Sequence, residues 1–202
     1  MRKLTGNTLL VATHNAGKLS EIASLLEPFG ISVTGAAERG LREPDETETT
    51  FEGNARIKAH AAARATSLPS LADDSGIQID ALNGAPGVYT ADWAETADGR
   101  DFEMAMNKAH DRLLASGAAP PWRGRFCCTL VLAWPDGHDE VFPGTAEGQI
   151  VWPMRGDHGH GYDPIFQPDG YCVTFAEMAP DVKNRISHRA DAFNKLVKLC
   201  FD

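Results

Sequence analysis

An α/β fold on a mixed sheet is what this sequence predicts, and two observations carry the prediction. In the N-terminal third, short apolar runs alternate with stretches at helical spacing, the pattern of β-α units. Further on, apolar runs follow one another across turn residues with no helix between them, as neighbouring strands do. No repeat, low-complexity tract or long linker interrupts the chain, and 202 residues suit a single domain spanning 1–202. A chain of that size buries about 70% of its unfolded surface, so a core forms without staples.

Leu9 to Thr13 is a short apolar run that reads as a strand, His14-Asn15-Ala16-Gly17 as a loop, and Leu19, Ile22, Leu25 and Leu26 recur at helical spacing. Ile31 to Thr34 supplies a second strand, and the acidic stretch Glu43-Pro44-Asp45-Glu46-Thr47-Glu48 has the composition of a loop. Thr49 and Glu52 have capping-box spacing ahead of an alanine-rich helix reaching about Ala65. Leu68 to Ala72 then leads as a strand into Asp73-Asp74, with a turn expected at Ser75-Gly76. Ile77, Ile79 and Leu82 alternate beyond it, and Gly84-Ala85-Pro86-Gly87 closes that unit with a turn. Asp101 to Leu114 reads as a helix with Phe102, Met106, Ala109 and Leu113 on one face. Arg125 to Trp134 is nearly continuous in apolar residues and predicts a central strand. Pro135-Asp136-Gly137 has hairpin-turn composition, Glu140 to Phe142 and Gly148 to Trp152 supply two further strands, and a glycine-rich loop runs from Gly156 to Pro164. The last helix is expected from about His188 to Cys200.

Composition narrows the function classes. A net charge of −9 argues against sequence-independent nucleic-acid binding, which needs a basic face to displace counterions. The four cysteines, Cys127, Cys128, Cys172 and Cys200, have neither Cys-x-x-Cys spacing nor the density of a disulfide scaffold, and read as thiols of a reducing cytoplasm. No signal peptide is recognised, and no window approaches the ~18 apolar residues that a membrane span needs.

Four constellations carry chemistry. Asp73 and Asp74 place two carboxylates at a strand end, where they repel unless a positive group neutralises them; the usual group is a hard divalent cation, Mg²⁺ first. The same Asp-Asp-Ser-Gly run also fits a plain Asx-type turn. Thr13-His14-Asn15-Ala16-Gly17-Lys18 lies between a strand and a helix, where unpaired N–H groups and the helix dipole favour phosphate, although an ordinary capped helix would look alike. It is no Walker A loop, because Leu19 stands where Ser or Thr would meet magnesium. Lys183, Arg185, His188 and Arg189, with Lys58, form a distal basic set in an acidic chain, open to reading as solvated charge. Gly159-His160-Gly161-Tyr162-Asp163-Pro164 offers two rings on a flexible backbone, suited either to stacking on a nucleobase or to local packing. His158 and His160 have no partner at zinc-ligand spacing.

Taken together and in this order, these stretches resemble the inosine triphosphate pyrophosphatase family, in its bacterial branch acting on deaminated purine triphosphates (dITP, ITP, XTP). The most specific are Thr13 to Lys18, Thr50-Phe51-Glu52-Gly53-Asn54-Ala55 with Lys58, Ala72-Asp73-Asp74-Ser75-Gly76, Gly161-Tyr162-Asp163-Pro164-Ile165-Phe166, and Lys183 with Ile186-Ser187-His188-Arg189. The resemblance runs from Leu10 nearly to the C-terminus. It implies an elongated α/β protein with a long mixed β-sheet flanked by helices, two lobes with a central nucleotide-binding cleft, and a homodimer. It implies Mg²⁺-dependent hydrolysis of the triphosphate to monophosphate and pyrophosphate, in the cytoplasm, with no nucleic-acid or membrane partner.

Carried over residue by residue, the resemblance makes Asp74 and Glu46 the metal ligands and Asp73 the general base. Thr13, His14, Asn15, Ala16, Gly17, Lys18 and Lys58 would hold the phosphates. Ser75, His160, Gly161, Tyr162, Asp163, Lys183, His188 and Arg189 would complete the nucleotide site. A donor at the 6-oxo edge, His188 or Arg189, would accept hypoxanthine and leave adenine unpaired; what excludes the 2-amino group of guanine stays open. Two positions depart from the family pattern: His160 replaces a phenylalanine that packs on the base, and Gly53 replaces a glutamate before Asn54. The alternatives are a pyrophosphatase for modified pyrimidine nucleotides and a nucleotide-binding sensor without turnover.

Overall fold

The computed structural model describes residues 2–201, apart from the side chains at positions 16, 17 and 21. Eight strands and five α-helices are assigned among the described residues: β1 (Thr8–Val11), α1 (Ala16–Leu26), β2 (Ser32–Gly35), α2 (Phe51–Thr66), β3 (Ser70–Ile79), β4 (Glu95–Thr96), β5 (Gly99–Arg100), α3 (Phe102–Ala115), β6 (Trp122–Ala133), β7 (Asp139–Ile150), β8 (Phe166–Pro168), α4 (Pro180–Ile186) and α5 (His188–Cys200). Six strands form a mixed sheet in the order β2-β1-β3-β6-β7-β8, and β4 with β5 forms a small ribbon. β1 runs parallel to β2 and to β3, whereas β7 and β8 are antiparallel. The mixed α/β class expected from the sequence is observed. No helix among the described residues is long and apolar enough to cross a membrane.

The chain divides into two compact units. The first holds the residues up to Asp74, Thr129–Pro143 and the segment from Ala192. Its sheet core is Leu9, Leu10 and Val11 with Ile22 and Leu26 of α1, all buried. Ala55, Ala59 and Ala63 of α2 pack on Ala72, Val131 and Ala133, and such small side chains let helix and sheet approach closely. The second unit holds Ser75–Cys128 and Gly144–Asp191. There Ala105, Met106, Ala109 and Leu113 of α3 pack with Ile77, Ile79, Phe126 and Phe166, on the helical face that the spacing predicts, with Asp101 capping the helix at Met104 N (2.9 Å).

Several boundaries differ from those read in the sequence. β3 runs unbroken through Asp73, Asp74, Ser75 and Gly76, so no turn forms there; ladder pairing and burial on both faces override the local turn preference of Ser and Gly. The cap of α2 is Thr50, not Thr49: its hydroxyl accepts from Gly53 N at 3.0 Å, and Gly53 at the third helical position has no carboxylate to return the bond. β7 is one strand from Asp139 to Ile150 rather than two. It tolerates Pro143 because β8 pairs only with Gly148, Gln149 and Ile150, leaving that side open where the proline lacks its N–H. Strand β3 ends at Ile79, and Leu82 closes a 3₁₀ turn instead of extending it. α4 and the β4-β5 ribbon carry too little periodicity to be read from sequence.

Candidate active site

The first unit brings together two lysines, Lys18 of α1 and Lys58 of α2, and three carboxylates, Asp73 and Asp74 of β3 and Glu46 of the acidic segment. The register Val11↔Leu71 puts the end of β1 beside the start of β3, two residues before Asp73. Asn15 caps α1, its side-chain oxygen accepting from Lys18 N at 3.0 Å, while the Thr13 hydroxyl accepts from Asn15 N at 3.2 Å. These bonds fix the turn and leave the first-turn N–H groups of α1, which have no acceptor within the helix, at the end of the strand. Lys18 leaves that turn to donate to Asp73 Oδ2 at 2.8 Å. Ala16 and Gly17 belong to the same turn; their side-chain positions lie outside the described atoms.

Asp74, the next residue along β3, points to the other face and meets other partners. Asn54 Nδ2 donates to its Oδ2 at 3.2 Å, and Lys58 Nζ stands 3.9 Å from its Oδ1. Lys58 also pairs with Glu46 of the acidic segment. Burial works against the Lys58 ammonium, but the carboxylates of Asp73, Asp74 and Glu46 outweigh it and raise its pKa. Burial, opposed by Lys58 and Asn54, pushes the Asp74 carboxyl from 3.8 up to about 6. A carboxylate that burial makes costly to ionise gains most from a cation at close range.

Glu46 and Asp74 present oxygen donors, as a hard cation requires. Among the described residues no group of three or more His, Cys, Asp or Glu side chains is arranged to hold a metal ion by itself. The Lys58 ammonium already places a positive charge against both carboxylates, so the donor set fits a cation there.

A second set lies in the second unit. Asp163 is buried and organises the glycine-rich loop: its Oδ2 accepts from His160 N at 2.8 Å and pairs with Lys183. Gly159 has φ +75°, and a Cβ there would stand 2.1 Å from Asp163 Oδ2, so only glycine fits. Gly161 repeats the left-handed backbone at φ +67°. Among the rings of this loop His158 and His160 are exposed. Tyr162 is 1% exposed, edge-on to Phe102, and its hydroxyl donates to Thr90 O at 3.4 Å; what it offers a ligand is backbone. Lys183 falls in the last turn of α4, where positive charge suits the helix dipole, and not at a helix start. Arg185 pairs with Asp181 at the surface and stays apart from the set.

His188 and Arg189 are buried at the start of α5. His188 stacks on Phe126, with ring centroids 4.9 Å apart. Ser75 is half-buried on β3. Two residues with evident parts in these sets, Phe126 and Asn54, carry no role in the sequence reading. Phe126 looks like an ordinary core residue of an apolar run. Asn54 was visible within a motif, but its two-ended bonding depends on tertiary approach.

Residues 9–199 match the model of the Ham1 family. The chain is 68% identical over 200 residues to the dITP/XTP pyrophosphatase of Ruegeria pomeroyi, covering 99% of this chain and 98% of that protein. It is 57% identical over 213 residues to the dITP/XTP pyrophosphatase of Agrobacterium fabrum, covering both chains in full (100% and 100%). Among solved structures, the HAM1 protein of Coxiella burnetii superposes with a TM-score of 0.90 at 35% identity, over 96% of this chain and 98% of that one.

Proposed function

The chain belongs to the Ham1 family, and from that premise we propose that residues 1–202 work as one nucleoside-triphosphate pyrophosphatase domain. It is a hydrolase that converts non-standard purine nucleoside triphosphates to the monophosphate and pyrophosphate: dITP and XTP, which stand in the names of its relatives, and ITP, which the family resemblance adds. The observation that carries the division of roles is the splitting of the aspartate pair across β3: Asp73 with Lys18, Asp74 with Asn54 and Lys58.

Hydrolysis at the α-phosphorus forms one bond from water oxygen to phosphorus and breaks the bond from that phosphorus to the α,β-bridging oxygen, so pyrophosphate leaves. Asp73 takes the proton of the attacking water. Lys18, its partner in the unliganded chain, turns to a phosphate oxygen, freeing the carboxylate for that task. Thr13, Asn15 and the backbone of His14, Ala16 and Gly17 cradle phosphate with neutral donors, and Lys58 adds charge. Glu46 and Asp74 hold Mg²⁺, which when bound neutralises charge on the phosphate oxygens. Ser75, His160, Gly161, Tyr162, Asp163, Lys183, His188 and Arg189 serve the nucleoside end, with the exposed His160 ring against the base. A homodimer and a cytoplasmic location complete the reading, supported by the family resemblance and by four cysteines that lack the density of a disulfide scaffold.

Incubation with dITP, XTP, ITP and ATP in Mg²⁺, with product analysis, tests it. Pyrophosphate release from the deaminated purines with little turnover of ATP is expected. Orthophosphate release, a preference for ATP, or faster turnover of modified pyrimidine nucleotides would overturn it. Asp73→Asn is expected to lower the rate chiefly, and Asp74→Asn to weaken metal dependence as well; wild-type behaviour of both variants would refute the assigned roles.

A further inference from the structure

Glu46 lies on a segment, residues 41–48, that has no helix or strand to hold it. Its backbone is nonetheless fastened on both sides of Glu46. His14 Nε2 donates to Leu41 O at 2.8 Å, and Glu48 N donates to Asn54 Oδ1 at 2.9 Å. The other end of the Asn54 amide donates to Asp74 Oδ2 at 3.2 Å. Asn54 is 2% exposed and stands in the first helical turn of α2, an element whose cap and packed alanine face fix it in place.

The geometry points to Asn54 as a positioning residue of the cation site: one amide sets the spacing between the Asp74 carboxylate and the segment that carries Glu46, with His14 as the second clasp. An amide has one accepting and one donating end, and here each end is spent on one half of the ligand pair. Lys58, one helical turn further along α2, reaches the same two carboxylates. Its ammonium competes with an arriving cation for them, however, and must yield. Asn54 is neutral and competes with nothing, so its bonds persist when the cation binds. This inference rests on the reading of Glu46 and Asp74 as the cation's ligands.

The test uses the full chain with Asn54→Ala, which cuts both links, and His14→Ala, which loosens only the far clasp. Two quantities are measured: Mn²⁺ binding to the nucleotide-free protein by the loss of its free-ion electron paramagnetic resonance signal, and the Mg²⁺ concentration at half-maximal rate on dITP. Asn54→Ala is expected to weaken Mn²⁺ binding and raise the Mg²⁺ requirement by about tenfold or more, the usual cost of losing a group that orients a metal ligand. The rate is expected to recover as Mg²⁺ is raised, and His14→Ala to shift both readings in the same direction by less.

A purely structural role would lower stability and rate without moving the metal dependence. A folded Asn54→Ala with unchanged metal affinity, or a rate loss that added Mg²⁺ does not restore, would overturn the inference. Should that variant fail to fold, an unchanged metal dependence in His14→Ala would do the same. Weakened Mn²⁺ binding in a chain that releases no pyrophosphate from dITP would sink the pyrophosphatase reading and leave this one standing. Normal pyrophosphate release with unmoved metal affinity would do the reverse, and a wild-type chain that binds no Mn²⁺ would end both.

Discussion

Asp74 is the residue whose environment is hardest to reconcile with an isolated fold. With the carboxyl raised by burial from 3.8 to about 6, the folded chain binds a proton more tightly than the unfolded chain does. The stabilisation this gives is therefore complete below about pH 4, and it is lost as pH rises through about 6, a swing on the order of 3 kcal/mol. Replacement by Asn removes the charge while keeping an oxygen for Asn54 Nδ2 to donate to. In chelator, Asp74→Asn is expected to be more stable than wild type at pH 7.5, with the advantage shrinking towards pH 4; equal stability at every pH, read by denaturant titration, would contradict it. The carboxylate pair itself was legible in the sequence. Its consequences were not, because the burial that shifts Asp74 comes from α2 and the acidic segment, both distant along the chain. Gly53, a departure from the family pattern, finds a local reason: a Cβ there would stand 2.5 Å from Glu48 Cβ, so glycine makes room for the acidic segment against the helix start.

At the scale of the element, α2 carries the most. It presents Asn54 and Lys58 to the site on one face while Ala55, Ala59 and Ala63 hold it against the sheet. Thr50→Ala, which removes the cap bond to Gly53 N, is expected to cost about 1 kcal/mol of stability. Ala59→Leu places a branched side chain where none is exposed and is expected to cost about 1–3 kcal/mol, pushing the helix off the sheet. Thermal melts check both, and an unchanged midpoint for Ala59→Leu would contradict the close packing described. The helix was readable from its alanines, but its cap was misplaced by one residue because Thr49, three before Glu52, has the capping-box spacing that Thr50, three before Gly53, lacks. The reading of β3 erred for a related reason: Ser75-Gly76 favours a turn in isolation, and its place inside a long, largely buried strand of the sheet keeps it extended.

At the scale of the whole molecule, the order of motifs was the strongest signal in the sequence, since it identified the family without any contact being known. The topology β2-β1-β3-β6-β7-β8 was not legible, because strand order depends on long-range pairing that no local pattern encodes. If Glu46 and Asp74 hold the cation, Mg²⁺ alone raises the melting temperature of the wild-type chain, and the shift is lost in Asp74→Asn; an equal shift in both would place the ion elsewhere. The central claim is that water attacks the α-phosphorus with Asp73 taking its proton. Turnover of dITP in water enriched in heavy oxygen, followed by mass spectrometry of the products, tests it most directly. The label is expected in dIMP, with none in pyrophosphate; label in pyrophosphate, or in released orthophosphate, would mean attack at the β- or γ-phosphorus and would contradict the account.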